Sequence, residues 1–236
     1  MFRKTYGYIL NHPTTTRGYW GDWYYKRRYM MVLRRLLKLC ESEDATLLEL
    51  GCGKGFYAKY LQERGSKCSY VGCDIDEKSI KSAYRGDRID YVKCDVQRLP
   101  FKDKSVPVVL CSEVLEHLTS PYTTLEAITR IATETFIVTF PEESLLSTFK
   151  DGHPEHVSTI EKKMVAELLS SKGSRGIQIS HIFSSFIPCG VLEFLHFPRN
   201  NLTQAIVGTI DKLLKKTIPL TLVPHKTILI EAEAPA

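Results

Sequence analysis

Two stretches of the chain bring together residue types that can do chemistry. One is Ser112-Glu113-Val114-Leu115-Glu116-His117, which sets two carboxylates and an imidazole within one predicted helical turn. Such groups accept protons, or hold a hard divalent cation through oxygen. The other is Gly51-x-Gly53-x-Gly55, which follows an apolar run and leads into Phe56-Tyr57-Ala58-Lys59-Tyr60-Leu61. A strand, a glycine turn and a helix present backbone N–H groups and a positive helix end at the carboxyl edge of a sheet, where small ligands bind in open α/β folds. Acidic residues surround the turn: Glu49 two positions before the first glycine, Asp74 closing Tyr70-Val71-Gly72-Cys73-Asp74, and then Asp95.

The glycine spacing separates possible ligands. A dinucleotide fingerprint requires Gly-x-Gly-x-x-Gly, with the third glycine easing close helix–strand packing. Here the position for that glycine holds Phe56. Glu49-Leu50-Gly51-Cys52-Gly53-Lys54-Gly55, followed by Asp74, Asp95 and Glu116-His117-Leu118, instead resembles the class I S-adenosylmethionine-dependent methyltransferases. The resemblance runs from about Ala45 to the C-terminus and is closest to the type 11-like branch. It implies binding of S-adenosyl-L-methionine by Glu49, Gly51, Cys52, Gly53, Gly55, Asp74, Ile75, Asp95, Val96 and Ser112. In that reading the glycines admit the methionine part, and Glu49 orients the loop and the amino group. Asp74 accepts the ribose hydroxyls, Ile75 packs on adenine, and Asp95 and Val96 meet its edge.

Methyl transfer is an in-line displacement on an activated centre, so alignment and exclusion of water are the main requirements. Some acceptors also need a base or a metal. Glu113 and His117 are the expected catalytic residues, with the imidazole as proton acceptor. The Glu-x-x-Glu-His run resembles the metal motif of ubiquinone-biosynthesis O-methyltransferases and of small-RNA 2′-O-methyltransferases. This implies a Mg²⁺ or Mn²⁺ site of Glu113, Glu116, His117 and His156. Metal-free relatives use the same run to shape a helix start.

The elements that must position these residues alternate. Strands are predicted at Thr46–Leu50, Ser69–Asp74, Asp90–Lys93, Val106–Cys111, Thr135–Phe140, Gln178–Phe183 and His225–Glu231. Helices are predicted at Trp20–Leu39, Gly55–Arg64, Asp76–Arg85, Pro121–Ala132, Thr159–Leu169 and Leu202–Lys216. The pattern predicts an α/β fold with a doubly wound, mostly parallel, seven-stranded Rossmann-like sheet, its last strand antiparallel as the resemblance implies. One methyltransferase domain is expected over 1–236. Within it lie a basic aromatic arm and helix (1–40), a cofactor-binding core (41–183), a substrate-pocket insertion (184–224) and a last strand and tail (225–236).

The net charge of +5 is uneven: residues 1–40 hold nine Lys/Arg and one acid, with nine aromatics interleaved. Such a segment can grip RNA or an anionic membrane face, and it equally fits a solvated helix whose aromatics pack over the cofactor. The longest apolar stretch, Ile182–Phe197, is broken by Pro188 and Glu193, so no transmembrane segment is expected. The N-terminus shows no signal-peptide pattern, and the seven cysteines are odd in number and lack Cys-x-x-Cys. Reduced thiols in a cytoplasmic protein are the plain reading.

The expected activity is methyl transfer to an O, N or C nucleophile of a small, lipid- or quinone-like molecule. An RNA acceptor gripped by the arm, or a methyltransferase-like binding protein without turnover, are the alternatives.

Overall fold

The computed structural model describes residues 18–142, 157–183, 198, 200–217 and 226–236. The arm before Gly18, His153, His156, His225 and most of the 184–224 insertion lie outside the described residues.

The seven predicted strands are present: β1 (Thr46–Leu50), β2 (Ser69–Asp74), β3 (Ile89–Lys93), β4 (Val106–Ser112), β5 (Ala132–Glu142), β6 (Arg175–Phe183) and β7 (Lys226–Glu233). They form one sheet of order β3-β2-β1-β4-β5-β7-β6. Neighbours from β3 to β5 are parallel, whereas β7 runs antiparallel to both β5 and β6. The chain winds outward one way from β1 and the other way from β4. Their carboxyl ends therefore bound the switch point where ligands bind in such sheets.

The central strands are near-continuous apolar runs because both faces are covered. On one face Leu47, Val108, Leu110, Ile137, Ile182 and Leu229 pack with Tyr29, Leu33 and Leu36 of α1 (Gly18–Leu39) and Tyr57 and Leu61 of α2 (Phe56–Glu63). Residues 29, 32, 33 and 36 recur at helical spacing and are buried, so α1 lies flat on the sheet. Arg35 fastens it at the far edge, with Nε 3.1 Å from Glu231 Oε2 and Nη2 3.2 Å from Ser180 Oγ. On the other face Leu48, Val109, Phe136, Val138 and Ile230 pack with Leu125 and Ile128 of a later helix, and with Val165 and Leu169 of the one after β5.

The first of the remaining helices is α3 (Glu77–Lys81). It stops well short of the predicted Arg85, since the backbone N–H of Tyr84 is drawn to Lys54 O (3.0 Å) and Ser82 Oγ turns back to Lys78 O. α4 (Pro121–Ile131) begins with proline in its first turn, where no N–H is needed. α5 (Lys162–Ser171) starts later than Thr159, because Val157 and Ser158 give their N–H groups to Glu116 O instead. The last, α6, is Asn201–Thr217. β5 runs past the predicted Phe140 and through Pro141 to Glu142. Pairing with β4 ends at Ser112↔Thr139, so beyond that point one side of β5 carries no ladder for proline to break. No helix among the described residues is long and apolar enough to cross a membrane.

Candidate active site

The glycine turn leaves the carboxyl end of β1 and is held from β2: the N–H groups of Gly51 and Cys52 both reach Cys73 O, at 2.8 and 3.0 Å. Gly51 and Gly55 have φ of +71°, the left-handed region that L side chains rarely adopt. They are also closely approached. A Cβ on Gly51 would stand 2.4 Å from Val114 Cγ2, and one on Gly55 2.0 Å from Tyr91 Oη. Val114 belongs to the loop after β4, so the turn and the candidate catalytic loop are in direct contact.

Asp74, at the end of β2, accepts from Gly53 N through Oδ2 and from Asp76 N through Oδ1, each at 2.8 Å. The loop-holding bond that the family resemblance gave to Glu49 is made by Asp74. Glu49 is buried within the sheet and accepts a short hydrogen bond from the Tyr70 hydroxyl. Burial pushes its carboxyl up to about 8, with the Asp74 charge adding to the rise and the Tyr70 bond opposing it. Ile75 is 66% exposed beside Asp74, an open apolar platform. Asp95 Oδ1 caps the following turn by accepting from Gln97 N (2.9 Å), and Val96 is buried behind it. Cys52 is buried within the turn, and burial raises its thiol far above the usual range.

At the carboxyl end of β4 a polar chain crosses from one helix to two strands. Tyr57 Oη stands 3.5 Å from Ser112 Oγ, and Ser112 Oγ 2.9 Å from Thr139 Oγ1. Thr139 donates to Glu113 Oε1 (3.0 Å), and Arg28 Nη1 bridges Glu113 Oε2 at 2.6 Å. Glu113 itself has φ of +57°, a conformation that costs a non-glycine residue of order 1–3 kcal/mol and clusters at functional sites. The expected helical turn there is only a 3₁₀ turn, Leu115–His117. Glu116 is buried, its Oε1 3.9 Å from His117 Nε2 and its Oε2 without a hydrogen-bond partner. Burial, and then the charge of Glu113, raises its carboxyl well above the usual range.

The described residues do not assemble the expected metal site of Glu113, Glu116, His117 and His156. Among the described residues no three His, Cys, Asp or Glu side chains form a group able to hold an ion. Glu113 gives its oxygens to Thr139 and Arg28, and the Glu116 carboxyl is enclosed and held toward its neutral form. His156 lies outside the described residues. Thr139, Tyr57, Tyr70 and Tyr91 were not anticipated. Thr139 alone carried a signal, as the hydroxyl inside the otherwise apolar Phe136–Phe140 run.

A sheet with this strand order, a reversed β7 and a glycine turn at the switch point defines the class I S-adenosylmethionine-dependent methyltransferase fold. The family model described as a methyltransferase domain matches residues 48–135, the stretch from β1 to the start of β5. No curated protein matches it by sequence. A solved S-adenosylmethionine-dependent methyltransferase from Archaeoglobus fulgidus is 20% identical, with a TM-score of 0.63 over 88% of this chain and 94% of that one. A chain of the Haloferax volcanii complex containing the Trm112 methyltransferase activator is 19% identical, with a TM-score of 0.62 over 94% and 98%. Haemonchus contortus phosphoethanolamine N-methyltransferase 2, solved with phosphomonomethylethanolamine and S-adenosylhomocysteine, is 16% identical, with a TM-score of 0.65 over 98% of this chain and 57% of that one.

Proposed function

We propose that the chain methylates a nucleophile of a small, lipid- or quinone-like molecule, with His117 as proton acceptor. S-adenosylmethionine, when bound, supplies a methyl group already activated on a sulfonium. The glycine turn fits that ligand: it has no side chain at the positions where Val114 and Tyr91 close in, and it leaves Asp74, Ile75 and Asp95 along one edge. In this reading Asp74 uses its remaining lone pairs for the ribose hydroxyls while keeping the turn in place. Ile75 and Val96 flank the adenine, Asp95 accepts from its amine, and Glu49 and Ser112 face the methionine end.

The observation that supports a small apolar acceptor is the Arg28–Glu113 bridge. It fastens α1 over the carboxyl edge and seats Tyr29 against Phe56 and Tyr57, with ring centroids 4.6 and 5.8 Å apart. Aromatic rings and a neutralised ion pair make a wall suited to an apolar body with one polar handle. On the other side of that handle, His117 takes the proton as the methyl bond forms. The imidazolium is then stabilised by the nearby Glu116 carboxyl, which ionises more readily beside a cation. The complex of the Haemonchus enzyme offers a precedent for a small acceptor on this fold.

The test is formation of S-adenosylhomocysteine by the purified chain with quinols, phenols, amino-lipid headgroups and RNA, at low and high salt. Turnover of a small acceptor that is insensitive to salt supports the reading. Turnover of RNA alone, falling steeply with salt, would replace it.

A further inference from the structure

Two cysteines stand one residue before the two acids of the candidate cofactor edge: Cys73 before Asp74, and Cys94 before Asp95. β2 and β3 end side by side, with Asp74 paired to Lys93, and the Cys94 N–H then donates to Asp74 O at 3.0 Å. Cys94 is thereby held against the end of β2. Both side chains join the same apolar cluster, Cys73 fully buried and Cys94 half-buried, and both are free thiols. Within it the Cys73 thiol donates a hydrogen bond to the Cys94 sulfur.

The two thiols are chemically unequal. The bond from Cys73 holds the Cys94 thiol below its usual range, against burial and the charges of Asp95 and Asp74. The same bond, with burial, keeps Cys73 protonated. A more acidic, more accessible thiol beside a buried one is the arrangement of an attacking and a resolving cysteine. A second hydrogen-bonded pair, Cys40 and Cys68, has both thiols buried and lies at the opposite end of β2.

We propose that a peroxide joins Cys73 and Cys94 in a reversible disulfide that lowers the affinity for S-adenosylmethionine; the effect on affinity rests on the cofactor site proposed above. The Cys94 thiolate attacks one peroxide oxygen, and the other leaves as hydroxide and takes up the proton that Cys94 released. The Cys73 sulfur then attacks the Cys94 sulfenic acid, whose hydroxyl leaves as water with the Cys73 proton. The two sulfurs lose two electrons, and one hydrogen peroxide becomes two waters. A covalent link holds two sulfurs closer than a hydrogen bond does, so it draws the chain after β3 onto the end of β2 and shifts Asp95 against Asp74. Bound S-adenosylmethionine in turn favours the dithiol by the same factor.

The test treats the full chain with hydrogen peroxide, maps non-reduced peptides by tandem mass spectrometry, and measures S-adenosylmethionine affinity by titration calorimetry. A Cys73–Cys94 link is expected, with affinity lowered ~10-fold or more and restored by dithiothreitol. Reduced Cys94→Ser is expected to bind as the wild type does and to lose no affinity to peroxide; Cys73→Ala takes its place should that variant not fold. A reduced wild type without affinity for S-adenosylmethionine would overturn the cofactor assignment itself. A reduced wild type that binds it, but forms no Cys73–Cys94 link or keeps full affinity once linked, would overturn the redox proposal alone. An equal loss of affinity to peroxide in the cysteine variant would do the same.

Discussion

Arg28, in the middle of α1, bridges Glu113 at the carboxyl end of β4 at 2.6 Å, with both side chains largely buried. The pair joins a helix from the start of the chain to the loop that also carries Glu116 and His117. Removing one partner strands a buried charge. Glu113→Gln and Arg28→Met are each expected to cost ~3 kcal/mol, whereas the double variant recovers most of that loss. Urea midpoints of the four proteins form a double-mutant cycle. A coupling energy below ~0.5 kcal/mol would mean that α1 is held by its apolar face and Arg35 alone.

Asp74 holds the cofactor turn as well as lying beside it. Its two oxygens accept from Gly53 N and Asp76 N, so shortening it to alanine frees the turn and removes an acceptor at once. Asp74→Asn keeps one acceptor oxygen and loses the charge. S-adenosylmethionine affinity is expected to fall ~10-fold or more in Asp74→Asn, and further in Asp74→Ala, as charge-assisted bonds outweigh neutral ones. Titration calorimetry reads both, and equal affinity in Asp74→Ala would remove Asp74 from the binding site.

The turn was legible in the sequence because its constraint is local. Alternate glycines after an apolar run specify a backbone that few other residues adopt, and Gly51 and Gly55 prove to be crowded by Val114 and Tyr91. Strand boundaries such as Ser69–Asp74 were legible for the same reason: an apolar run bounded by polar residues has little freedom to slide. What the sequence hid depends on contacts across long separations. Nothing near Glu113 announces Arg28 or Thr139 as its partners, and nothing near Glu49 shows that its bond goes to Tyr70. The metal motif finds no support among the described residues on the same ground. Its spacing assumed a helical turn, but the chain makes a left-handed residue at Glu113 and a 3₁₀ turn, which separate the carboxylates' roles.

Gly55 gives a direct test of that crowding. Tyr91 Oη, which a new Cβ would meet, already donates to Tyr84 O at 2.8 Å, and the Arg85 guanidinium lies 4.7 Å over the ring. Gly55→Ala must therefore bear the left-handed backbone and also displace a fastened tyrosine. A loss of at least ~2 kcal/mol is expected by chemical denaturation. Adding Tyr91→Phe should restore part of it by removing the blocking oxygen, and no recovery would place the cost in the backbone alone.

Glu49 makes stability depend on pH. Its folded value of about 8 stands above the ordinary 4.5, so the native protein keeps a proton that the unfolded chain releases. The resulting stability is full below pH ~4.5 and is lost by up to ~1.4 kcal/mol per pH unit as pH rises toward ~8. Glu49→Gln is expected to flatten that slope and to be more stable than the wild type above pH ~8, since its amide oxygen can still accept from Tyr70. Denaturant midpoints between pH 5 and 9 provide the check. Parallel slopes for the two proteins would show that Glu49 does not hold its proton.

In the proposed reaction His117 takes the proton, and the Glu116 carboxyl stands 3.9 Å from its ring. His117→Ala is expected to lower kcat by ~10²-fold or more, with the KM for S-adenosylmethionine nearly unchanged, because the loss falls on proton transfer. Glu116→Gln leaves the imidazole in place but removes the carboxyl that ionises in response to its charge. The charge that gathers on the ring as it takes the proton then lacks its nearest carboxyl, so kcat is expected to fall ~10-fold while the KM for S-adenosylmethionine holds. A variant that merely loosened the loop would raise that KM as well, since Val114 of the loop lies against the glycine turn. Initial rates of the wild type, Glu116→Gln and Glu116→Asp distinguish the two outcomes, and an unchanged kcat in Glu116→Gln would leave Glu116 as packing alone.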